Sequence, residues 1–340
     1  MAAMAALQFN GVSVYVPPQQ CCGMPTLLEG DKTKTLRRLR FNMDILLELA
    51  ESGFDPVFSC PTCCYVMKVL LKEGAYYSEA YQRIAGAGTD EMRIPRNQAD
   101  GDEFVCLQKT IYKNILKDNG CFSSLDPLKR IALADSVAII GDYLDRKLKT
   151  DRLNNSFAPV PGRFASFTSC HQREQGGVSP YKSLLDLIPG LSVIDAGNSI
   201  DCCGMGGNQG IKKDFNEASI RIGEPLFHKI RAVEPSAIVA DCLSCRIQFM
   251  PVIHAVDDDI VDFSRQHCGQ ILGFREDWRD HRVGPDAALM QCLNRFQPLH
   301  DGGRIGFKYF SDFIVCRGDG KPDFDLFGSP EYIHIPKHQG

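Results

Sequence analysis

CCGM stands at residues 21–24 and again at 202–205, and each copy is followed about forty residues later by C-x-x-C: CPTC at Cys60 and Cys63, then CLSC at Cys242 and Cys245. The offset is 181 residues at the first motif and 182 at the second. A self-similarity this regular constrains the whole chain, because it requires two copies of one structural unit. The segments between the motifs share a plan. A helical stretch (TKTLRRLRFNMDILLELAES against KKDFNEASIRIGEPLFHKIRAV) precedes a short apolar strand that runs into the cysteine (DPVFSC against SAIVADC).

The second copy has more upstream of it. RFASFTSC reads as a strand ending at Cys170, SPYKSLLDLI as a helix, and LSVID as a strand leading to Cys202. Alternating strands and helices build a small parallel sheet with right-handed crossovers. The fold expected is therefore α/β, with two tandem duplicated units, each a small parallel sheet flanked by helices, and a C-terminal extension. The expected boundaries are residues 1–100 for the first unit, 101–155 for an insertion and connecting helix, 156–262 for the second unit and 263–340 for the extension. Every cysteine group then lies where a strand ends, at the carboxyl edge of its sheet, where open α/β sheets hold ligands.

Carrying the offset back from Cys170 places its counterpart twelve residues before Met1. MAAMAALQF matches the second half of the first helix and GVSVYVP the second strand, so the opening strand and its cysteine are missing from the first unit. The expectation is that a segment upstream of Met1 supplies them; otherwise the first site is incomplete, with Cys64 as the nearest spare thiol.

Composition narrows the chemistry. Fifteen cysteines in 340 residues are many, and they fall mainly in tight groups, which in a chain without a signal-peptide pattern favours metal or redox chemistry over structural disulfides. Cys106, Cys121, Cys268, Cys292 and Cys316 stand apart and read as inert thiols. The net charge of −4 comes without a long basic run, which argues against nucleic acid, and no apolar stretch has the length of a membrane span. The expected location is cytoplasmic, or peripheral on the inner face of a membrane through partners.

Cys170, thirty-one residues, Cys202-Cys203, thirty-eight residues, then Cys242 and Cys245 make five thiolates at three places. One tetrahedral zinc takes four ligands, usually from two separated pairs. Adjacent side chains of an extended segment point apart, so vicinal thiolates serve different metal atoms more naturally, as a polynuclear iron-sulfur site requires. The glycines after the pair let backbone N–H groups approach sulfur. As a phosphate loop the run is out of register, with Gln209 where a third glycine belongs. CPTC alone could pass for a thioredoxin-like dithiol, but its paired CC argues otherwise. His171 reads as an ordinary hydrogen-bonded residue and His228 as a surface one.

With these residues in place, the chain resembles the cysteine-rich CCG domain family, which includes one subunit each of heterodisulfide reductase and of anaerobic glycerol-3-phosphate dehydrogenase, and the iron-sulfur subunits of glycolate and lactate oxidising systems. CCGMGGNQGIKKDF, ASIRIGEPLFHKI and ADCLSCRIQF look most like the glycerol-3-phosphate dehydrogenase member. The resemblance covers about residues 1–260. It implies an iron-sulfur electron-transfer subunit of an anaerobic-type dehydrogenase or reductase, receiving electrons from a flavin or ferredoxin-type partner and passing them toward quinone or another acceptor. It also implies a 4Fe-4S cluster, of an unusual noncubane kind in the heterodisulfide reductase branch, held by Cys170, Cys202, Cys203, Cys242 and Cys245. To Cys21, Cys22, Cys60 and Cys63 the implication transfers in part. The ferredoxin-type cysteine runs at the front of the glycerol-3-phosphate dehydrogenase member do not occur here, so conventional clusters are expected on a partner. Two alternatives stay open: a disulfide reductase in which the cluster itself is the catalyst, and an interaction scaffold braced by a cluster or zinc.

Between the copies, GTDEMRIPRNQADGDEF reads as a solvated loop and LKRIALADSVAIIGDYLDRKL as a packing helix. Beyond residue 263, DWRDHRVGPDAALMQCLNRF reads as helical and IGFKYFSDFIVCRGDGKPDFDLFG as hairpin-prone, together a docking or capping extension.

Overall fold

The computed structural model describes residues 2–96, 104–150, 153–154, 156–176, 179, 181–254, 299–301, 304–306 and 313–317. In the first unit, α1 (Ala2–Phe9) leads to β1 (Ser13–Tyr15), and the chain then passes Cys21-Cys22 into the short α2 (Met24–Leu28). Helix α3 (Lys32–Glu51) starts at an Asp31 cap, whose carboxylate accepts the Lys34 N–H, and crosses to β2 (Asp55–Phe58). Cys60 follows that strand by two residues as the N-cap of α4 (Pro61–Tyr65), which carries Cys63 and Cys64 and continues as a π-turn over Val66–Leu70. The apolar stripe of α3 (Leu39, Met43, Leu46, Leu49) is buried against Phe58, Met67, Leu71 and Leu133.

The segment between the units differs from its sequence reading in two places. After α5 (Glu79–Ile84), β3 (Glu91–Pro95) pairs antiparallel with β4 (Phe104–Gln108), where a solvated loop was expected. Met92 and Ile94 alternate with charged neighbours, and Met92 is buried: the period is that of a strand. The expected single helix, which follows α6 (Lys109–Tyr112), is two, α7 (Pro127–Ser136) and α8 (Ile140–Lys149), separated by β5 (Ala138–Ile139). There Ala138 and Ile139 pair in parallel with Val57 and Phe58, so ladder bonding to β2 overrides the helical period.

The second unit follows its sequence reading closely. Strand β6 (Gly162–Phe167) runs into α9 (Cys170–Arg173), then α10 (Lys182–Leu185) and β7 (Leu191–Asp195) precede the Cys202-Cys203 loop. Helix α11 (Lys213–Ala232) crosses to β8 (Ala237–Ala240), and α12 (Leu243–His254) carries Cys245. The sheet is parallel, in the order β7-β6-β8, with the strand that leads to Cys170 in the centre.

The remaining strands are β9 (Leu299–Asp301) and β10 (Arg304–Gly306), an antiparallel pair, and β11 (Phe313–Arg317). The first sheet has the order β1-β11-β2-β5, and β11 pairs antiparallel with both neighbours. Strand β11 therefore fills the central slot that β6 fills in the second unit. Its direction is reversed. Phe313, paired with Phe58, lies toward the carboxyl edge, whereas Cys316, paired with Asp55, lies toward the opposite one. The slot expected for an upstream segment holds β11 here, and β11 brings no cysteine to the edge where Cys170 lies in the second unit. The helix expected over DWRDHRVGPDAALMQCLNRF falls outside the described residues.

Candidate metal centre

Both cysteine groups are built the same way. In the second unit, the Cys203 thiolate accepts hydrogen bonds from the Cys202 and Cys245 thiols, which hold it well below the ordinary thiol range despite burial. Cys245 also bonds Cys242, whose own pKa falls to about 7 through that bond and the N–H groups of Ser244 and Cys245. In the first unit, Cys22 accepts from Cys21 and Cys63 and is likewise lowered, and Cys63 also bonds Cys60. The thiols that flank each acidified cysteine, Cys21 and Cys63 in one unit and Cys202 and Cys245 in the other, are pushed up, first by hydrogen bonds to neighbouring sulfurs and then by burial. The order is Cys21–Cys22–Cys63–Cys60 in one unit and Cys202–Cys203–Cys245–Cys242 in the other. The sequence repeat is therefore also a repeat of electrostatics.

The fifth residue separates the units. Cys170, exposed at the start of α9, is raised by desolvation and by the neighbouring Cys203 and Cys242 sulfurs, so it borders the second chain of thiols. Among the described residues no cysteine of the first unit matches it. Cys64 does not: it is fully buried, pushed up to about 12 by desolvation, and takes no part in the hydrogen-bonded chain. Both Cys63 and Cys64 are buried, but they project about 100° apart on α4, so only Cys63 joins the chain of thiols.

Glycine makes the tight loops feasible. Gly23 and Gly204, the third residues of the two CCG motifs, have φ of 90° and 86°. A Cβ at Gly204 would lie 1.9 Å from the Ser219 carbonyl oxygen of α11, and one at Gly223 would lie 2.5 Å from the Cys203 carbonyl oxygen. The helix thus presses directly on the cysteine loop. Gly204 N–H also donates to Cys202 Sγ at 3.3 Å.

Fixed charges and amides hold both loops. In the second unit Lys229 Nζ reaches both Asp201 carboxylate oxygens at 2.8 and 2.7 Å, and Arg173 donates to the Asp201 carbonyl at 2.6 Å. In the first unit the buried Asn42 of α3 accepts the Gln20 N–H at 2.8 Å and donates to the Gln20 carbonyl at 2.9 Å, beside Cys21.

The two sites face each other. His171, next to Cys170, stacks on Tyr65 with ring centroids 4.8 Å apart, and its Nδ1 lies 2.8 Å from Thr62 Oγ1 between the first-unit ligand candidates Cys60 and Cys63. Gln175 donates to the Pro61 carbonyl at 2.9 Å. On the other side Lys212 pairs with Glu29 at 2.5 Å, and Gly207 packs so closely on Leu28 that a Cβ there would sit 2.8 Å away. Burial lowers the His171 pKa, while the Cys22 and Cys203 thiolates act in the opposite sense, which places the ring within the field of both sites. His228 is exposed, beside Glu224.

The donor set suits one class of metal group. All cysteines of both chains of thiols are free, so neither CC pair is a vicinal disulfide. Among the described residues no three His, Cys, Asp or Glu side chains are arranged to hold a single metal ion. Extended chains of soft donors, two of them adjacent, match a polynuclear group whose metal atoms each need their own ligand.

The profile of the cysteine-rich domain matches residues 1–68 and 164–250. Both of these segments match the cysteine-rich CCG domain. Together they contain all nine candidate ligands: Cys21, Cys22, Cys60 and Cys63, and Cys170, Cys202, Cys203, Cys242 and Cys245. Among the chain's relatives is a subunit of the anaerobic glycerol-3-phosphate dehydrogenase of Escherichia coli K12, 33% identical over 118 residues, or 34% of this chain and 28% of the relative. The corresponding protein of E. coli O157:H7 gives identical figures. A subunit of the fumarate reductase (CoM/CoB) of Methanothermobacter marburgensis is 24% identical over 255 residues, which are 73% of this chain and 37% of the relative. The chain spans only about a third of these relatives' length. No solved structure matches.

Sequence reasoning found the ligand candidates and the carboxyl-edge placement. It read His171 as hydrogen-bonded, as it is, but missed the residues that meet across the sites, Thr62, Tyr65 and Gln175. No local pattern marks a contact between residues 109 apart in sequence.

Proposed function

We propose that this CCG-domain protein is an iron-sulfur subunit of an oxidoreductase complex, with Cys170, Cys202, Cys203, Cys242 and Cys245 holding one 4Fe-4S cluster, of noncubane type, and Cys21, Cys22, Cys60 and Cys63 holding a second. The observation that carries the reading is the paired set of hydrogen-bonded thiols, each with one strongly acidified central cysteine, on facing edges of two sheets. An iron-sulfur cluster supplies one-electron redox chemistry. The chain's own residues supply thiolate ligands, exclude water around Cys22, Cys203, Cys242 and Cys245, and hold N–H groups near sulfur. Dehydrogenase and reductase relatives support electrons arriving from a flavin-bearing or ferredoxin-type partner and leaving toward quinone or another acceptor.

No helix among the described residues is long and apolar enough to cross a membrane, which supports a cytoplasmic location with any membrane contact made through partners. In this reading the units divide near residues 100, 155 and 262, with 138–139 and 313–317 lending strands to the first sheet. The exposure of Cys170 favours a second reading, in which a disulfide substrate reaches the second site and is reduced there.

Anaerobic purification with iron and sulfide analysis tests the proposal. The expected result is about four irons and four sulfides per site, with a low-temperature EPR signal on one-electron reduction. A colourless, sulfide-free protein with zinc overturns it. A signal that changes on adding an organic disulfide selects the second reading over a relay.

A further inference from the structure

The chain has a net charge of −4, yet Lys32, Lys34, Arg37, Arg38 and Arg40 stand within nine residues on the first half of α3. All but the half-buried Arg38 are exposed. The nearby acids are engaged elsewhere: Glu29 with Lys212 at 2.5 Å, Asp44 with Lys129 at 3.3 Å, and Asp31 at the helix cap, 3.0 Å from the Lys34 N–H. The positive field is thus not cancelled locally.

This face adjoins the first site. A groove of about 560 Å³ is lined by Thr33, Leu36, Arg37, Arg40, Phe41 and Asp44 of α3, the last with its charge paired to Lys129, and by Gln20, the residue before Cys21. Asn42 bonds both backbone groups of Gln20, so α3 and the cysteine loop form one piece.

We propose that the cationic face of α3, with the groove beside Gln20, is the docking surface for an acidic protein that exchanges electrons with the first site; the proposal rests on the redox function proposed for that site. From Lys32 to Arg40 the cations extend about 12 Å along the helix at 1.5 Å per residue, farther than one phosphate or carboxylate reaches. Such a row matches a surface bearing several carboxylates. Complementary charge accelerates encounter and orients the partner, while the partly exposed Phe41 offers an apolar contact at the end of the row.

A fluorescein-labelled decaglutamate peptide, followed by anisotropy with the full chain, tests the surface independently of metal content. Binding should weaken by about tenfold or more between roughly 0.01 and 0.15 M salt, as the Debye length falls from about 30 to 8 Å. The double variant Arg37→Glu/Arg40→Glu should abolish it, Arg37→Gln/Arg40→Gln should weaken it, and Lys147→Glu/Lys149→Glu on α8 should leave it intact. Equal loss in the α3 and α8 variants, or retained binding in the α3 variant, overturns the proposal. Displacement of the peptide by low-millimolar inorganic phosphate also overturns it, assigning the face to a phosphorylated small molecule.

In the iron-loaded protein, oxidation by anionic ferricyanide should slow about tenfold or more in Arg37→Glu/Arg40→Glu, and oxidation by cationic hexaammineruthenium should not slow. Equal effects on the two oxidants overturn the link between this face and the redox site. Absence of iron overturns the redox reading instead, while the peptide result still decides whether the face binds a polyanion.

Discussion

Thr62 Oγ1 of the first unit and His171 Nδ1 of the second lie 2.8 Å apart, and the same imidazole stacks on Tyr65. The residue beside Cys170 thereby ties the second candidate metal centre to the first. His171→Ala should cost about 1–3 kcal/mol, the sum of a net hydrogen bond and an aromatic contact. Thr62→Val should cost about 1 kcal/mol, and the two should couple in a double-mutant cycle by about 1 kcal/mol. Denaturant unfolding of the four proteins measures this. Strict additivity would show that the bond contributes nothing in solution.

The Asp201–Lys229 pair sets a pH dependence. Burial acts to raise the Asp201 pKa, but the Lys229 ammonium and the Asn198 N–H outweigh it and hold the carboxyl below its usual 3.8. A depressed carboxylate contributes stability above its unfolded pKa and loses it as pH falls through the folded one, because the unfolded chain takes up the proton first. Metal-free protein should therefore lose this contribution only below about pH 4. Asp201→Asn should cost about 1 kcal/mol at pH 7, discounted for the half-exposed Lys229, and should flatten the acid limb of the stability curve. An unchanged acid limb in the variant would remove Asp201 from the account.

Much of this fold is legible in the sequence. DPVFSC, SAIVADC and RFASFTSC each carry a short apolar run that ends beside a cysteine, and each forms the strand it announces. The repeat then assigns the candidate ligands by position. What is not legible depends on distant pairing. FIVCR contains nothing that names β1 and β2 as its neighbours, and its reversed direction is a tertiary outcome. The run VAII beside α7 fits a helix as well as a strand, and only the parallel ladder with Val57 and Phe58 decides between them.

The two CCG glycines should respond unequally. At Gly204 an alanine combines left-handed strain of about 1–3 kcal/mol with a Cβ only 1.9 Å from backbone, so the loop or α11 must move. Gly204→Ala should therefore cost more than about 3 kcal/mol, or prevent the second site from assembling. At Gly23 the same strain applies, but the Cβ meets the Thr35 methyl at 3.1 Å, a side chain able to give slightly. Gly23→Ala should cost about 1–2 kcal/mol. Thermal unfolding and iron content of the two variants check the ranking, and equal losses would contradict the close approach at Gly204.

Substitution of cysteines separates ligands from neighbours. Cys245→Ala removes the thiol that joins Cys203 to Cys242, and Cys63→Ala removes its counterpart between Cys22 and Cys60. Each should lower the iron content by about half, since each site stands on its own sheet. Cys170→Ala removes the candidate ligand that has no counterpart among the described cysteines of the first unit. It should perturb the EPR signal of one site and leave the other's unchanged. Cys64→Ala is the control. Its thiol is buried in the core of the first unit outside the chain of hydrogen-bonded sulfurs. The substitution should therefore cost about 1 kcal/mol in packing and leave the iron content unchanged. Loss of iron in Cys64→Ala would instead make Cys64 the fifth ligand of the first site and require α4 to turn when the metal binds.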